Sequence, residues 1–397
     1  MRQNIKKLNN IFSWWKILLI SLFITIGLVF VRIYGIFKKG VFGPVYKHFL
    51  HEDWPIVSKS DKDGSILNIA YPDENIAYYV ASFSVKNKVN LKGKIPKRKD
   101  MYFWSLTIYR EDGSIYHSIN DTEIRDEYSI EIGNNSIMSP LVSSVVDETT
   151  TIVNAPVGDT YCVILRVYKK DIMFNLFPDY IPNIIIDDGE VKIEEVMYEK
   201  RIKNSNTLEN IFTKLFTKKF ERINVINFFK VDVNKFFLPA ESEMSLVFPN
   251  PFAKYLMVFP KENSNVIKVK GILQDNIGMD NNNCRYVSFM ASSFYTTSTD
   301  NSISFREIKI NKEGEYILYT AFSERDAEEK GYDSTKDNHN ILLWKESNRK
   351  PVLVYRLVST AKKKNDEDSL FRINNKVKNI GYKIIEKKYR YAPYVIN

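Results

Sequence analysis

One strand-like pattern occurs twice in this chain, and it limits the possible architectures more than any other feature. Met101 to Arg110, MYFWSLTIYR, is filled with aromatic and β-branched residues and runs into Glu111-Asp112-Gly113-Ser114. That composition predicts a strand buried on at least one face and closed by a turn. Ahead of it lie Tyr78 to Val85 and then Val89-Asn90-Leu91-Lys92-Gly93-Lys94. The order returns as Tyr255 to Phe259, then Val266-Ile267-Lys268-Val269-Lys270-Gly271, then Arg285 to Met290. The last core strands also match, Val163-Ile164-Leu165-Arg166-Val167 against Leu353-Val354-Tyr355-Arg356-Leu357. Short strands with turn signals at this spacing predict antiparallel sandwiches or jelly rolls.

The fold class expected is therefore mainly β: two tandem antiparallel β-sandwich or jelly-roll-like units joined by an amphipathic helix, with one N-terminal transmembrane helix. The expected boundaries are 1–37 for a stub and anchor, 38–64 for a juxtamembrane stalk and 65–200 for the first unit. They continue with 201–236 for a linker helix, 237–360 for the second unit and 361–397 for a basic tail. The 397 residues suffice for two domains with real cores. Hydrophobic residues at 44% and charged residues at 26% are ordinary for a folded protein, and an aromatic content of 14% favours β cores over helical bundles.

Ile17 to Val31, ILLISLFITIGLVFV, is an unbroken apolar run preceded by Trp14 and Trp15. With Ile33 to Phe37 it reaches spanning length, and the tryptophans suit an interfacial belt. No small-x-small cleavage signal follows it, so an uncleaved anchor in contact with membrane lipid is expected. Orientation stays open, because Arg2, Lys6 and Lys7 on one side oppose Arg32, Lys38 and Lys39 on the other.

Leu208, Ile211, Phe212, Leu215, Phe216 and Phe220 form an apolar stripe at helical spacing, and Lys214, Lys218, Lys219 and Arg222 make the other face basic. That face is a candidate contact for a membrane or a protein partner, against the plainer reading of a linker helix. The formal charge of +9 comes from lysine in such places. Without zinc-finger spacing or an arginine-rich arm, nucleic acid is not an expected partner.

An arginine inside an apolar strand requires a partner or an open end. Arg166 and Arg356 recur at one place in the repeat and are therefore the candidates for structural ion pairing. His48 and His51 are the weak candidates for a metal, at i, i+3 spacing in a polar stalk. Asp61-Lys62-Asp63-Gly64-Ser65 resembles the start of a calcium loop but lacks the closing glutamate, and reads as a turn. Cys162 reads as a buried apolar residue, and two cysteines make no disulfide framework.

No Gly-x-Ser-x-Gly elbow, phosphate loop or Cys-x-x-Cys pair occurs. His117 and His339, in polar and loop-like contexts, would be the histidines available to an acid–base system in the β units. Asp121 with Glu123, or Asp187 with Asp188, would be the carboxylate pairs for glycoside chemistry. No catalytic residue and no cofactor is assigned on this basis.

Taken together, MYFWSLTIYREDG, VNLKGKIP before it and YCVILRVY after it resemble proteins built from domains of unknown function 1254 and 1214. Phe103, Trp104, Ser105, Leu106, Tyr109, Asp112 and Gly113 match one motif of that family, and Leu165, Arg166 and Tyr168 another. The resemblance implies β-sandwich core strands and carries no catalytic residue across. The Asn-, Lys- and Ile-rich composition is similar to that of large DNA viruses of protists, where such proteins occur behind an anchor. A structural or binding role is expected, with a membrane-anchored hydrolase and a lipid-binding or membrane-remodelling protein as the alternatives.

Overall fold

The computed structural model describes residues 56–57, 71–73, 75–84, 88–110, 114–124, 127–133, 150–154, 160–170, 183–186, 189–190, 232–239, 249–261, 264–279, 282–294, 298–360, 370–373 and 380–396. The expected anchor, the part of the stalk that holds His48 and His51, and the helix with Lys214, Lys218, Lys219 and Arg222 lie outside them, while Ile56 and Val57 of the expected stalk pair with the first unit as a strand. Among the described residues no helix is long and apolar enough to cross a membrane.

The first half contains β1 (Ile56–Val57), β2 (Ile76–Ser84), β3 (Lys88–Lys94), β4 (Met101–Arg110) and β5 (Ile115–Asn120). It continues with β6 (Glu127–Gly133), β7 (Thr150–Asn154), β8 (Thr160–Lys169), β9 (Asn183–Ile186) and β10 (Gly189–Glu190). The second half contains β11 (Phe237–Leu238), β12 (Ala253–Val258), β13 (Val266–Ile272), β14 (Cys284–Ser293), β15 (Thr299–Ser304) and β16 (Glu315–Ala321). After these come α1 (Glu324–Glu329), β17 (His339–Leu343), β18 (Pro351–Ser359), β19 (Ile380–Gly381), α2 (Tyr382–Lys388) and β20 (Tyr394–Val395). The chain is mainly β, in several antiparallel sheets.

The halves share one strand order. A central sheet runs β1-β2-β8-β4-β5 in the first half, and β11-β12-β18-β14-β15 repeats that sequence in the second, with β19 added at the edge. A flanking sheet runs β9-β3-β6-β7 in the first and β20-β13-β16-β17 in the second. Even the exceptions recur: β6 pairs β7 in parallel, and β16 pairs β17 in parallel.

Strand alternation explains the packing. Val163, Leu165 and Val167 of β8 point to one face and meet Val89 and Leu91 of β3 and Ile130 and Ile132 of β6 in one apolar cluster. Leu353, Tyr355 and Leu357 of β18 do the same with Ile267 and Val269 of β13 and Leu318 of β16. Each central sheet thus packs on its own flanking sheet. An antiparallel sheet commonly leaves its other face to water. Here all ten residues of β14 are buried, and eight of the nine in β18. The second face of each central sheet is covered because the two central sheets lie against each other. Ile76, Phe103 and Tyr168 from the first half form one cluster with Phe252, Ala253, Tyr286 and Val358 from the second.

Gly93 and Gly271, the glycines of the repeated Lys-Gly motif, show why the pattern recurs. Each sits opposite a tyrosine across the flanking sheet, Tyr128 and Tyr316 respectively. A Cβ at either glycine would collide with that ring.

The stretch 361–397, expected as a basic tail outside the second unit, is part of that unit in its described residues. Leu370, Ile373, Ile380, Ile385 and Tyr389 are buried in the second core, while Ile384 is half exposed. β19 and β20 extend both sheets of the second half. Lys383, Lys387 and Lys388 of α2 face outward.

Candidate functional site

The candidate site is the polar seam between the two central sheets. Because Val163, Leu165 and Val167 face the first core, Ile164, Arg166 and Tyr168 must face the seam, and Arg356 does so from β18 for the same reason. Arg166 is paired in register with Tyr78 on one side and Ser105 on the other. Arg356 is paired with Tyr255 on one side and Ser288 on the other. A Tyr-Arg-Ser row therefore crosses each central sheet at the same place.

Into this seam enters Asp73, a carboxylate from the loop ahead of β2. Its side chain is wholly buried. Tyr286 donates its hydroxyl at 3.0 Å to each carboxylate oxygen, and Ser288 donates at 2.6 Å. The Asn75 backbone N–H donates at 3.0 Å, and the Arg356 guanidinium stands 3.5 Å away. Arg356 also donates to the Tyr71 carbonyl at 2.7 Å and to the Tyr78 hydroxyl at 3.1 Å. Burial, reinforced by the Asp73 charge, holds the Tyr286 hydroxyl well above its ordinary pKa, so it stays a donor.

A second loop mirrors the first. Asn250 accepts the Phe252 N–H on its side-chain oxygen at 3.1 Å, as Asp73 accepts that of Asn75. Its amide donates to the Tyr168 hydroxyl at 2.9 Å. Tyr109 donates to the Pro249 carbonyl at 2.9 Å, so each half is gripped by a loop of the other. Tyr168 and Tyr286 meet edge to face with centroids 5.0 Å apart.

The two recurrent arginines thus have different surroundings. Arg356 forms the ion pair with Asp73, and Arg166 lies over the Tyr109 ring, 5.7 Å from its centroid. Burial pushes the Tyr109 hydroxyl up to about 12, against the pull of the Arg166 cation. An Asp-Ser-Tyr-Arg cluster has the residue types of a catalytic centre. Here Asp73, Ser288, Tyr286 and Arg356 are buried, and the chain's own donors occupy the carboxylate. The arrangement works as a joint between two sheets.

The other candidates are dispersed. Asp121 pairs with Arg98 at 2.5 Å, and Glu123 accepts the Asn120 N–H at 3.3 Å, so both serve their turn. Asp187 and Asp188 lie outside the described residues. His117 and His339, expected in loops, are in strands: His117 within β5, opposite Ile108, and His339 at the start of β17. His339 is buried, accepts the Asp333 N–H on Nδ1 at 3.1 Å and packs on Tyr319. Burial lowers its pKa below 6.5. Cys162 and Cys284 are both buried. No group of three His, Cys, Asp or Glu suited to a metal exists among the described residues.

Asp73, the residue on which the seam is built, escaped the sequence reading. Its signal was present: Tyr71-Pro72-Asp73-Glu74-Asn75-Ile76-Ala77-Tyr78 aligns with Phe248-Pro249-Asn250-Pro251-Phe252-Ala253-Lys254-Tyr255. An aromatic-Pro-Asx turn, its Asx five positions ahead of each seam tyrosine, extends the repeat upstream.

No protein-family model matches the chain, and no curated protein sequence matches it. Among solved structures, an uncharacterised protein from Burkholderia cenocepacia is similar in fold, with a TM-score of 0.51 over 84% of this chain and 86% of its own, at 12% identity. A protein from Vibrio parahaemolyticus overlays 83% of this chain and 92% of its own, with a TM-score of 0.41 and 10% identity. The first likeness shows that this arrangement of strands occurs elsewhere.

Proposed function

We propose that the chain is a membrane-anchored structural or binding protein, in which two tandem antiparallel β-sandwich units, held together face to face, are presented by an N-terminal helix. The observation that carries this reading is the seam. Its polar groups are spent on joining the halves, which suits a rigid presenting body. The apolar run Ile17 to Val31 supplies the anchor. In this reading the chain is akin to the proteins of domains of unknown function 1254 and 1214, and its setting is a viral or virion membrane. The amphipathic stretch with Lys214, Lys218, Lys219 and Arg222 connects the units. Fractionation of cells expressing the full chain tests this. The protein should resist alkaline carbonate extraction from membranes, and deletion of residues 1–37 should release it. Release of the undeleted chain by carbonate would overturn the reading.

A further inference from the structure

Because β16 pairs β17 in parallel, a crossover must carry the chain back along the second flanking sheet. That crossover is α1 followed by residues 331–338. Tyr316 and Leu318 of β16 face the second core, so Tyr319 and Ala321 face the other way, where they cluster with Ala327 of α1. Tyr319 donates its hydroxyl to the Gly331 carbonyl at 2.8 Å, and Gly331 takes a φ of +91° that suits glycine. His339 is buried beside it, its ring 5.3 Å from that of Tyr319 and 6.3 Å from that of Tyr332. Its Nδ1 accepts the Asp333 N–H at 3.1 Å.

An N–H donated to Nδ1 fixes the state of the ring: that nitrogen carries no proton and the imidazole is neutral. Protonation there sets a donor against a donor and removes the bond. The flanks of the segment are held without the histidine. Ser323 caps α1 by accepting the Asp326 N–H at 3.2 Å. Asn340 accepts the Lys309 N–H at 2.7 Å and donates to the Lys309 carbonyl at 2.9 Å. Residues 331–338 are therefore the part that His339 secures.

The charges around the ring come from three elements. Lys336 and Asp333 belong to the segment itself, Glu324 and Glu328 of α1 lie near Tyr332, and Lys268 of β13 stands 5.1 Å from the Tyr319 centroid. Burial, then the Lys336 charge and that of Lys268, lower the His339 pKa below 6.5, against the pull of Asp333. The Asp333 carboxylate is turned to Thr335, whose N–H and hydroxyl donate to it at 3.0 and 2.6 Å and hold it below the usual carboxylate range. The histidine is also particular to the second half. Tyr128 and Tyr316 occupy equivalent positions, so Ser129 matches Ile317, and Thr150 stands opposite Ser129 where His339 stands opposite Ile317. A parallel pair of this kind forms without a histidine.

We infer that His339 is a pH-sensitive latch on the segment 331–338: neutral, it holds the crossover against β16, and protonated it releases the crossover while the sheets stay folded. The released ring takes up its proton near 6.5, above the value in the closed form. The latch is thus fully closed above about 6.5 and loses its hold as the pH falls from there towards the closed-form value.

Hydrogen exchange followed by mass spectrometry on the full chain in neutral detergent tests this, at pH 7.5 and pH 5.5, with each rate divided by the intrinsic rate at that pH. Protection of the segment should fall at pH 5.5 by up to about tenfold, the most that a group titrating near 6.5 when released supplies over that interval. Peptides from β14 and β18 should keep their protection. H339N places a non-titrating acceptor near Nδ1 and should hold the segment equally at both pH values. If H339N fails to fold, titration of the His339 ring by NMR decides instead, since it must follow the same curve as the loss of protection. Unchanged protection of the segment in the unmutated chain, an equal loss in H339N, a ring titration that does not track the loss, or a loss shared by β14 and β18 would each overturn the latch.

Discussion

Asp73 shows how a single residue can decide the relation between distant parts of a chain. It meets Arg356 across 283 positions of sequence. A buried ion pair contributes little net stability over an apolar replacement, because both charges lose water, yet breaking one is costly. D73A should therefore destabilise the protein by about 3–5 kcal/mol in urea unfolding, because it strands the Arg356 cation. The double variant D73A/R356M should lose less than D73A alone. Equal or greater loss in the double variant would show that the two groups act separately. His339 offers a pH-dependent counterpart. Its pKa is lowered in the fold by burial, so the unfolded chain binds the proton first as pH falls. The stability it contributes is present above about 6.5 and lost below. An H339Q variant should lack that part of the acid destabilisation, and denaturant midpoints between pH 7.5 and pH 5 would show it.

Secondary elements were the most legible level of the sequence, because period-two alternation and turn residues act locally. MYFWSLTIYR is β4 residue for residue, and the strand-like runs Val89 to Lys94 and Val266 to Gly271 fall on β3 and β13. The Lys-Gly glycines are local as well, since each exists to clear a ring on the adjacent strand. G93A and G271A should each cost about 1–3 kcal/mol as the tyrosine is forced aside, and equally so if the two positions are equivalent. Thermal unfolding of the pair of variants would decide that. The last segment was misread because its apolar residues are sparse among lysines and only the assembled core shows where they go. Removing residues 361–397 should expose the second core and make it open to limited proteolysis, while the full chain resists.

At the scale of the molecule, the sequence revealed the repeat but not how its copies face each other. Repetition follows from local patterns. The facing of the central sheets depends on Asp73, Asn250 and the seam tyrosines, whose partners lie in the other half. Arg166 and Arg356 stood out as arginines in apolar strands, and that was the visible part of the seam. The Asx turns that complete it lie in loops, where composition is uninformative without alignment of one half upon the other. The account's central claim is that the seam makes the two halves a single mechanical body. Native-state hydrogen exchange on the full chain and on D73A tests it most directly. Loss of protection in β2 and β8 together with β14 and β18 is the expected result, because the carboxylate links strands of both halves. Loss confined to β2 and its neighbours, with β14 and β18 unchanged, would contradict it.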